Sequence, residues 1–328
     1  MSEFTLPYIS APNEISNEAY HSGAEYEKFI SSSELKQMLV SPKWFKFAQE
    51  HPSDTRTISL ENAMKGSLYH DMLCSIVNTG DMSGFENDWV VFEPSINPKT
   101  GKSYGIDSQA YQSIYQEFVA NHPGKSITSE AEVAVAKKMI QELRFGNPHL
   151  SKDINLYIKN GIAEVSKFVE YEGLFFKFRT DLETPTRILD WKTCGSEVPK
   201  IENWAKQVTK LGYDISAAFY QFMEHEITGL WKPFYWVAQE KDPPYDFNII
   251  DASNWAYEIN LHDQTAIPHI GAMKLRKLLD AYIKCTREDV WPGYSVFTLP
   301  QIYNGKEHRV ATVNVPGYAQ GEMLNYYL

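Results

Sequence analysis

Asp190, Trp191 and Lys192 place a carboxylate and an ammonium two residues apart in the run Arg187 to Thr193 (RILDWKT). In a strand, side chains alternate faces, so Asp190 and Lys192 point one way and Trp191 the other. Asp181 lies nine residues before Asp190, across the turn Thr184-Pro185-Thr186. If the two runs pair as a hairpin, Asp181 comes beside Asp190. Two carboxylates on neighbouring strands form a hard oxygen site of the kind Mg²⁺ prefers, with waters and a substrate phosphate completing the octahedron. A D-x-K triplet is common, and on an exposed strand it is a solvated ion pair. Ile188, Leu189 and Trp191 argue for an interior strand, where charges are costly unless paired or metal-bound.

The surrounding elements must carry this group. Ala163 to Tyr171 and Leu174 to Leu182 alternate like strands around the turn Glu172-Gly173, and Arg187 to Thr193 is a third run. A short helix, Lys152 to Lys159, precedes them. A single long helix, about 202–226, and a strand, 233–239, follow. The order is α-β-β-β-α-β. Upstream, the pattern predicts helices at about 35–41, 60–77, 108–121 and 130–145, with Ser129 and Glu132 at capping-box spacing. A short strand is expected near 89–92. Downstream, a strand is expected near 247–250, a helix over 265–287, and turns and short strands over 291–328. Residues 1–30 read as a polar N-terminal arm, 31–295 as the main domain with its core at about 151–240, and 296–328 as a C-terminal extension.

The chain has 328 residues, of which 43% are hydrophobic, enough for a sizeable core and too many for a disordered chain. Its 31 Lys+Arg against 42 Asp+Glu give a net charge of −11, which argues against coating nucleic acid with the whole surface but leaves room for a local basic channel. Three dispersed cysteines, Cys74, Cys194 and Cys285, contain no CxxC pair and exclude an all-cysteine metal site or a disulfide framework. With no secretory signal pattern and no long apolar run, the expectation is a soluble protein of the cytoplasm, or of the host cytoplasm if phage-encoded, without a membrane partner.

Asp181 followed by Asp190-x-Lys192 inside α-β-β-β-α-β resembles the PD-(D/E)XK nuclease core, a mixed α/β (α+β) fold with a central sheet flanked by helices and, here, an N-terminal helical extension. Seven stretches in order resemble the RecE-type (exonuclease VIII) phage and prophage exonucleases: ISSSELKQMLVSP (30–42), MKGSLYHDML (64–73), AEVSKFV with FKFRTDLE (163–183), ILDWKTC (188–194), GYDISAAFYQ (212–221), VAQEKDPPYD (237–246) and WPGY (291–294).

The resemblance implies roles. Asp181 and Asp190 match metal-binding carboxylates, and the Trp191 carbonyl would complete that set. Lys192 matches the motif lysine that handles the attacking water. Glu164 matches an acidic residue near the second metal or its waters; otherwise it is a surface carboxylate. His70 matches a metal-binding histidine; otherwise the face Ala63, Gly66, His70 is small-residue packing, with Gly66 allowing a close approach. Tyr213, Ser216 and Tyr220 share a helix face. That is core packing on its own, but in the family this face lies near the phosphate, with glutamine where Ser216 stands. Lys177 and Arg179 share the Asp181 face by alternation, and with Lys206 and Lys210 they are candidate phosphate contacts. Trp44 and Phe45 suit either a DNA-end wedge or a core helix.

The implied activity is metal-assisted phosphodiester hydrolysis with one or two Mg²⁺ (Mn²⁺ substituting) per site. The implied substrate is double-stranded DNA ends, cut 5′→3′ and passed to a single-strand annealing protein in recombination. A homo-oligomeric ring, a tetramer, is implied too, and a basic lumen would reconcile the −11 charge with DNA binding. The rival readings are a structure-specific or endonucleolytic enzyme on the same core, and a non-catalytic DNA-binding protein that keeps only the fold.

Overall fold

The computed structural model describes residues 5–12, 14–51, 60–294, 301–303 and 306–308. Its centre is a six-stranded sheet whose spatial order follows the chain: β1 (Tyr8–Ile9), β2 (Ile162–Tyr171), β3 (Leu174–Thr184), β4 (Arg187–Cys194), β5 (Phe234–Glu240) and β6 (Phe247–Asp251). All neighbours are antiparallel except β4 and β5. That parallel pair needs a crossover, supplied by helices α4 (Ile201–Leu211) and α5 (Tyr213–Thr228). Helices α1 (Leu60–Thr79), α2 (Glu130–Gln141) and α3 (Leu150–Asn160) come before the β2–β4 meander. This is a mixed α/β fold with a central sheet flanked by helices.

The meander forms where alternation predicts it. Glu172 and Gly173 both take positive φ, 53° and 79°, as a two-residue hairpin turn requires. One sheet face carries Leu182, Leu189, Trp191 and Val237 into a core with α1, α2 and α3 through Leu68, Met72, Ile140 and Ile154. Burying each such side chain stabilises by roughly 1.5–3 kcal/mol. Phe176 and Phe178 instead meet Phe219 of α5, at centroid distances of 6.1 and 6.4 Å. The Ser129–Glu132 capping box starts α2 as expected.

Two expectations are corrected. The single helix at 202–226 is two helices, because Gly212 adopts φ 62°, ψ 37° and ends α4 with its N–H on the Val208 carbonyl. Only glycine takes that left-handed conformation cheaply. The helix expected from 265 begins at Ile270. Thr265–Pro268 pairs instead with Tyr257–Asn260 as a short antiparallel ribbon, and Pro268, which lacks an N–H, ends it.

The chain divides into two units, one comprising residues 1–33 and 56–277 and the other 34–55 and 278–328. In the first, the segment read as an arm adds β1 to the edge of β2. Tyr26 and Phe29 of that segment pack on Phe168, 4.9 and 5.0 Å between ring centroids. In the second, the helix Pro42–Glu50 is capped by Ser41, whose Oγ accepts the Trp44 N–H. Phe45 lies against Tyr282 and Trp291, 5.3 and 5.6 Å away, as a core residue of that unit, while Trp44 is exposed. Of the C-terminal extension, Gln301–Tyr303 pairs with Lys306–His308, and 296–300, 304–305 and 309–328 lie outside the described residues.

Candidate metal centre

The site forms where the sheet ladder opens. Strands β3 and β4 pair through Leu182↔Leu189, and the next opposed residues, Asp181 and Asp190, fall just beyond. There the Asp181 carboxylate replaces a strand bond: its Oδ2 accepts the Trp191 N–H at 2.7 Å. On the other side, β2 pairs Ala163 with Leu182 and Val165 with Thr180, so Glu164 stands opposite Asp181. Glu164 has φ 55°, a left-handed conformation in mid-strand that costs a non-glycine residue about 1–2 kcal/mol. Such strain persists only where surrounding contacts enforce it.

Helix α1 brings His70 to this opening. Its Nδ1 is 3.8 Å from Asp181 Oδ2, and its ring reaches the Trp191 carbonyl. One ligand atom from each of His70, Glu164 and Asp181 lies within 4.8 Å of the others. The expected close approach at Gly66 is an ordinary one: a Cβ there would sit 3.8 Å from Thr193 Oγ1.

Asp190 and Lys192 share a face, as strand alternation requires. Lys192 Nζ lies 2.8 Å from Asp190 Oδ1 and 2.7 Å from Oδ2. Trp191 points into the opposite core and is 1% exposed. Asp190 adjoins the triad closely enough that the Asp181 charge helps to raise it.

The carboxyls are short of positive charge. Burial, with Asp181 nearby, pushes Glu164 up to about 7. Burial raises Asp190 to about 6 against the pull of Lys192, and burial raises Asp181 as well. His70 falls to about 4 through burial and the Lys192 ammonium, so its imidazole is neutral, the form that binds metals. Lys192 stays protonated: burial would lower it, but Asp190 and Asp181 outweigh that and hold it high. Crowded, desolvated carboxyls beside a neutral imidazole fit a divalent cation.

Other expected contacts lie elsewhere. Lys177 is 4% exposed, and its Nζ donates to the Tyr20 and Tyr26 carbonyls at 2.9 and 3.4 Å. Arg179 donates to Ser166 Oγ, Glu164 Oε2 and the Ile15 carbonyl at 2.8, 3.3 and 2.9 Å, with Tyr20 against its guanidinium. Both cations are engaged within the chain. Tyr213 places its ring 5.5 Å from Lys192 Nζ. Ser216 Oγ is 3.3 Å from Ser32 Oγ, and Tyr220 packs 5.4 Å from Phe178. Lys206 and Lys210 are exposed on α4.

Two neighbours of His70 on α1 were not anticipated. Cys74 directs its thiol at Glu164 Oε1 and the Asp181 carbonyl, 3.7 and 4.0 Å away. Asp71 accepts the Trp89 indole N–H at 2.6 Å and is raised by burial to about 6. The signal for Cys74 was present: four residues past His70, it shares that helix face.

Sheet, crossover and carboxylate cluster together define a PD-(D/E)XK-like nuclease-superfamily domain. The chain belongs to the family described as a PDDEXK-like domain of unknown function (DUF3799), which matches residues 99–296. That match includes Glu164, Asp181, Asp190 and Lys192, and His70 lies N-terminal to it. Among solved structures, the chain is similar to a putative exonuclease from Eubacterium rectale, at 15% identity and TM-score 0.49 over 84% of this chain and 87% of that one. No curated protein matches the chain. Among the described residues, no helix is long and apolar enough to cross a membrane.

Proposed function

We propose that the chain is a metal-dependent exodeoxyribonuclease acting on double-stranded DNA ends. The observation that carries this is the convergence of His70, Glu164 and Asp181 on one point, with the Asp190–Lys192 pair beside it. A divalent ion bound there would supply a Lewis acid and lower the pKa of a coordinated water. Asp181, Asp190 and Glu164 would hold it with His70, and the Trp191 carbonyl, which faces the imidazole, would add a further donor. Asp190 orients Lys192, whose ammonium would face a bound phosphate and stabilise charge developing in hydrolysis. Tyr213 places its ring against the ammonium.

The finer assignment rests on the seven RecE-like stretches: resection 5′→3′, hand-off to a single-strand annealing protein, and a ring-shaped homo-oligomer, a tetramer. The test is end-labelled linear duplex DNA beside closed circular DNA, with Mg²⁺ and an Asp190→Ala control. Stepwise loss of the 5′ label, with circles intact and the variant inactive, supports the reading. Cleaved circles would replace it with an endonuclease, and no metal-dependent cleavage would leave a binding protein.

A further inference from the structure

Helix α1 is clamped to the sheet on both sides of His70 and Cys74. At one end, Asn78 Nδ2 donates to the Ala163 carbonyl at 3.2 Å and Asn78 Oδ1 accepts the Ala163 N–H at 3.0 Å, next to Glu164. At the other, the Tyr69 hydroxyl donates to Gln239 Oε1 at 2.5 Å. Gln239 lies on β5, in register with Thr193 of β4 and one residue beyond the Lys192–Ala238 pair. Its Nε2 donates to the Met139 carbonyl of α2 and to the Tyr245 carbonyl, each at 2.9 Å. Tyr69 is 2% exposed and Gln239 1%.

A buried amide with its oxygen and both N–H groups engaged has one orientation, and the Tyr69 hydroxyl then has one place to donate. The clamps are about 13 Å apart along the helix, at 1.5 Å per residue. Together they fix both the axial position and the rotation of α1. Rotation matters because one residue corresponds to about 100° around the axis, enough to carry the imidazole away from Asp181.

We propose that Tyr69 and Gln239 are positioning residues for His70, holding α1 in the rotation that delivers the imidazole to Asp181 and the Trp191 carbonyl. The proposal rests on reading His70, Glu164 and Asp181 as a metal centre. Neither Tyr69 nor Gln239 belongs to the ligand set; they act through the helix that carries His70. Partners that orient metal ligands commonly contribute ten- to a hundredfold in affinity.

The experiment is a Mn²⁺ titration of the full chain, followed by the paramagnetic resonance of free Mn²⁺, in six proteins: unaltered, Tyr69→Phe, Gln239→Leu, His70→Ala, and Tyr69→Phe and Gln239→Leu each combined with His70→Ala. Tyr69→Phe removes one oxygen and keeps the ring. It is expected to weaken Mn²⁺ about tenfold. The same change in the His70→Ala background is expected to add nothing, because the ligand it positions is gone. Gln239→Leu removes the acceptor from the other side and is expected to repeat both results, so the test does not depend on one variant folding. An equal loss in the His70→Ala background would overturn the proposal, since the clamp would then serve the fold alone. Unchanged affinity in Tyr69→Phe and Gln239→Leu, with His70→Ala weakened, would also overturn it while leaving the metal centre intact. Unchanged affinity in His70→Ala would overturn the metal-centre reading and the proposal with it.

Discussion

Two clusters of charge lie on the same strands, a few residues apart, and they solve burial in opposite ways. Lys167 of β2 donates to Glu183 of β3 at 2.6 Å and to Glu224 of α5 at 2.5 Å, and Lys232 reaches Glu224 at 2.7 Å. That network has two cations for two carboxylates and is almost fully buried. Burial would raise Glu224, but Lys167 and Lys232 outweigh it and hold the carboxyl below its ordinary value. The candidate metal centre gathers Glu164, Asp181 and Asp190 around Lys192 and the flank of Arg179, and there burial wins, so the carboxyls rise. A balanced network is complete without a ligand. An unbalanced one is completed by a cation, and that difference separates a structural cluster from a functional one.

The largest effects should divide along this line. Lys192→Ala or Asp190→Ala is expected to lower the nuclease rate about a thousandfold, since the first removes the positive charge placed for the transition state and the second the carboxylate that orients it. The melting temperature should move by only a few degrees. Lys167→Met is expected to do the reverse. Breaking one partner of a buried pair costs about 3–5 kcal/mol, while the rate per folded molecule stays near that of the unaltered protein. Rate assays alongside thermal melts check both. If Lys167→Met abolished the rate in fully folded protein, the two clusters would be one machine.

The next effect is one of sign with pH. Glu224 is depressed in the folded state, so its stabilisation is present above the ordinary glutamate pKa and lost as pH falls through the folded value. Glu164 is raised to about 7, so the metal-free protein is penalised as pH rises towards and past 7 and relieved in acid. Glu164→Gln should therefore stabilise the metal-free chain at about pH 8, by on the order of 2–3 kcal/mol, and change little near pH 4. Glu224→Gln should destabilise at neutral pH, and less in acid. Chemical denaturation at the two pH values, in chelator, reads both, and matching pH profiles would erase the contrast.

How far these clusters can be read before folding follows the same division. The three β-runs, the capping box of α2 and the pairing of Asp181 with Asp190 were legible because they depend on periods of two and on turns only a few residues long. The Asp190–Lys192 face was legible for the same reason. The ion network was not, because Lys167 and Glu224 are 57 residues apart and meet only after the crossover has closed. Nor was the break at Gly212, since a glycine inside an apolar periodic run signals either a tolerated helix residue or a cap, and only its φ of 62° decides. Alternation also put Lys177 and Arg179 on an approach to phosphate, but it could not foresee that carbonyls of residues 15–26 would engage them.

A bound ion should supply what the carboxylate cluster lacks. At a Mg²⁺ or Mn²⁺ concentration a hundred times its Kd, the folded state gains about 2.7 kcal/mol. The gain should shrink as pH falls below about 7, where Glu164 takes up a proton, and again near 6, where Asp190 does. Melts at about pH 8 and pH 5.5, with and without Mn²⁺, measure it. An equal gain at both would mean that the ion binds elsewhere.

The smallest expected effect concerns Cys74, whose sulfur lies at the centre. Its thiol is 3.7 Å from Glu164 Oε1, and burial first, then Glu164 and Asp181, hold it well above the ordinary thiol value. It is therefore a neutral, weak donor, and a hard ion prefers the oxygens beside it. Cys74→Ala should cost about 1 kcal/mol of stability through lost packing. Mn²⁺ affinity should stay within about threefold of the unaltered protein, because softness excludes the thiol from a hard ligand set. If Mn²⁺ affinity fell as far as it does on losing Asp181, Cys74 would be a ligand and the donor set would suit a softer metal. The contrast with the balanced network would then rest on the chemistry of the metal as well as on the charge count.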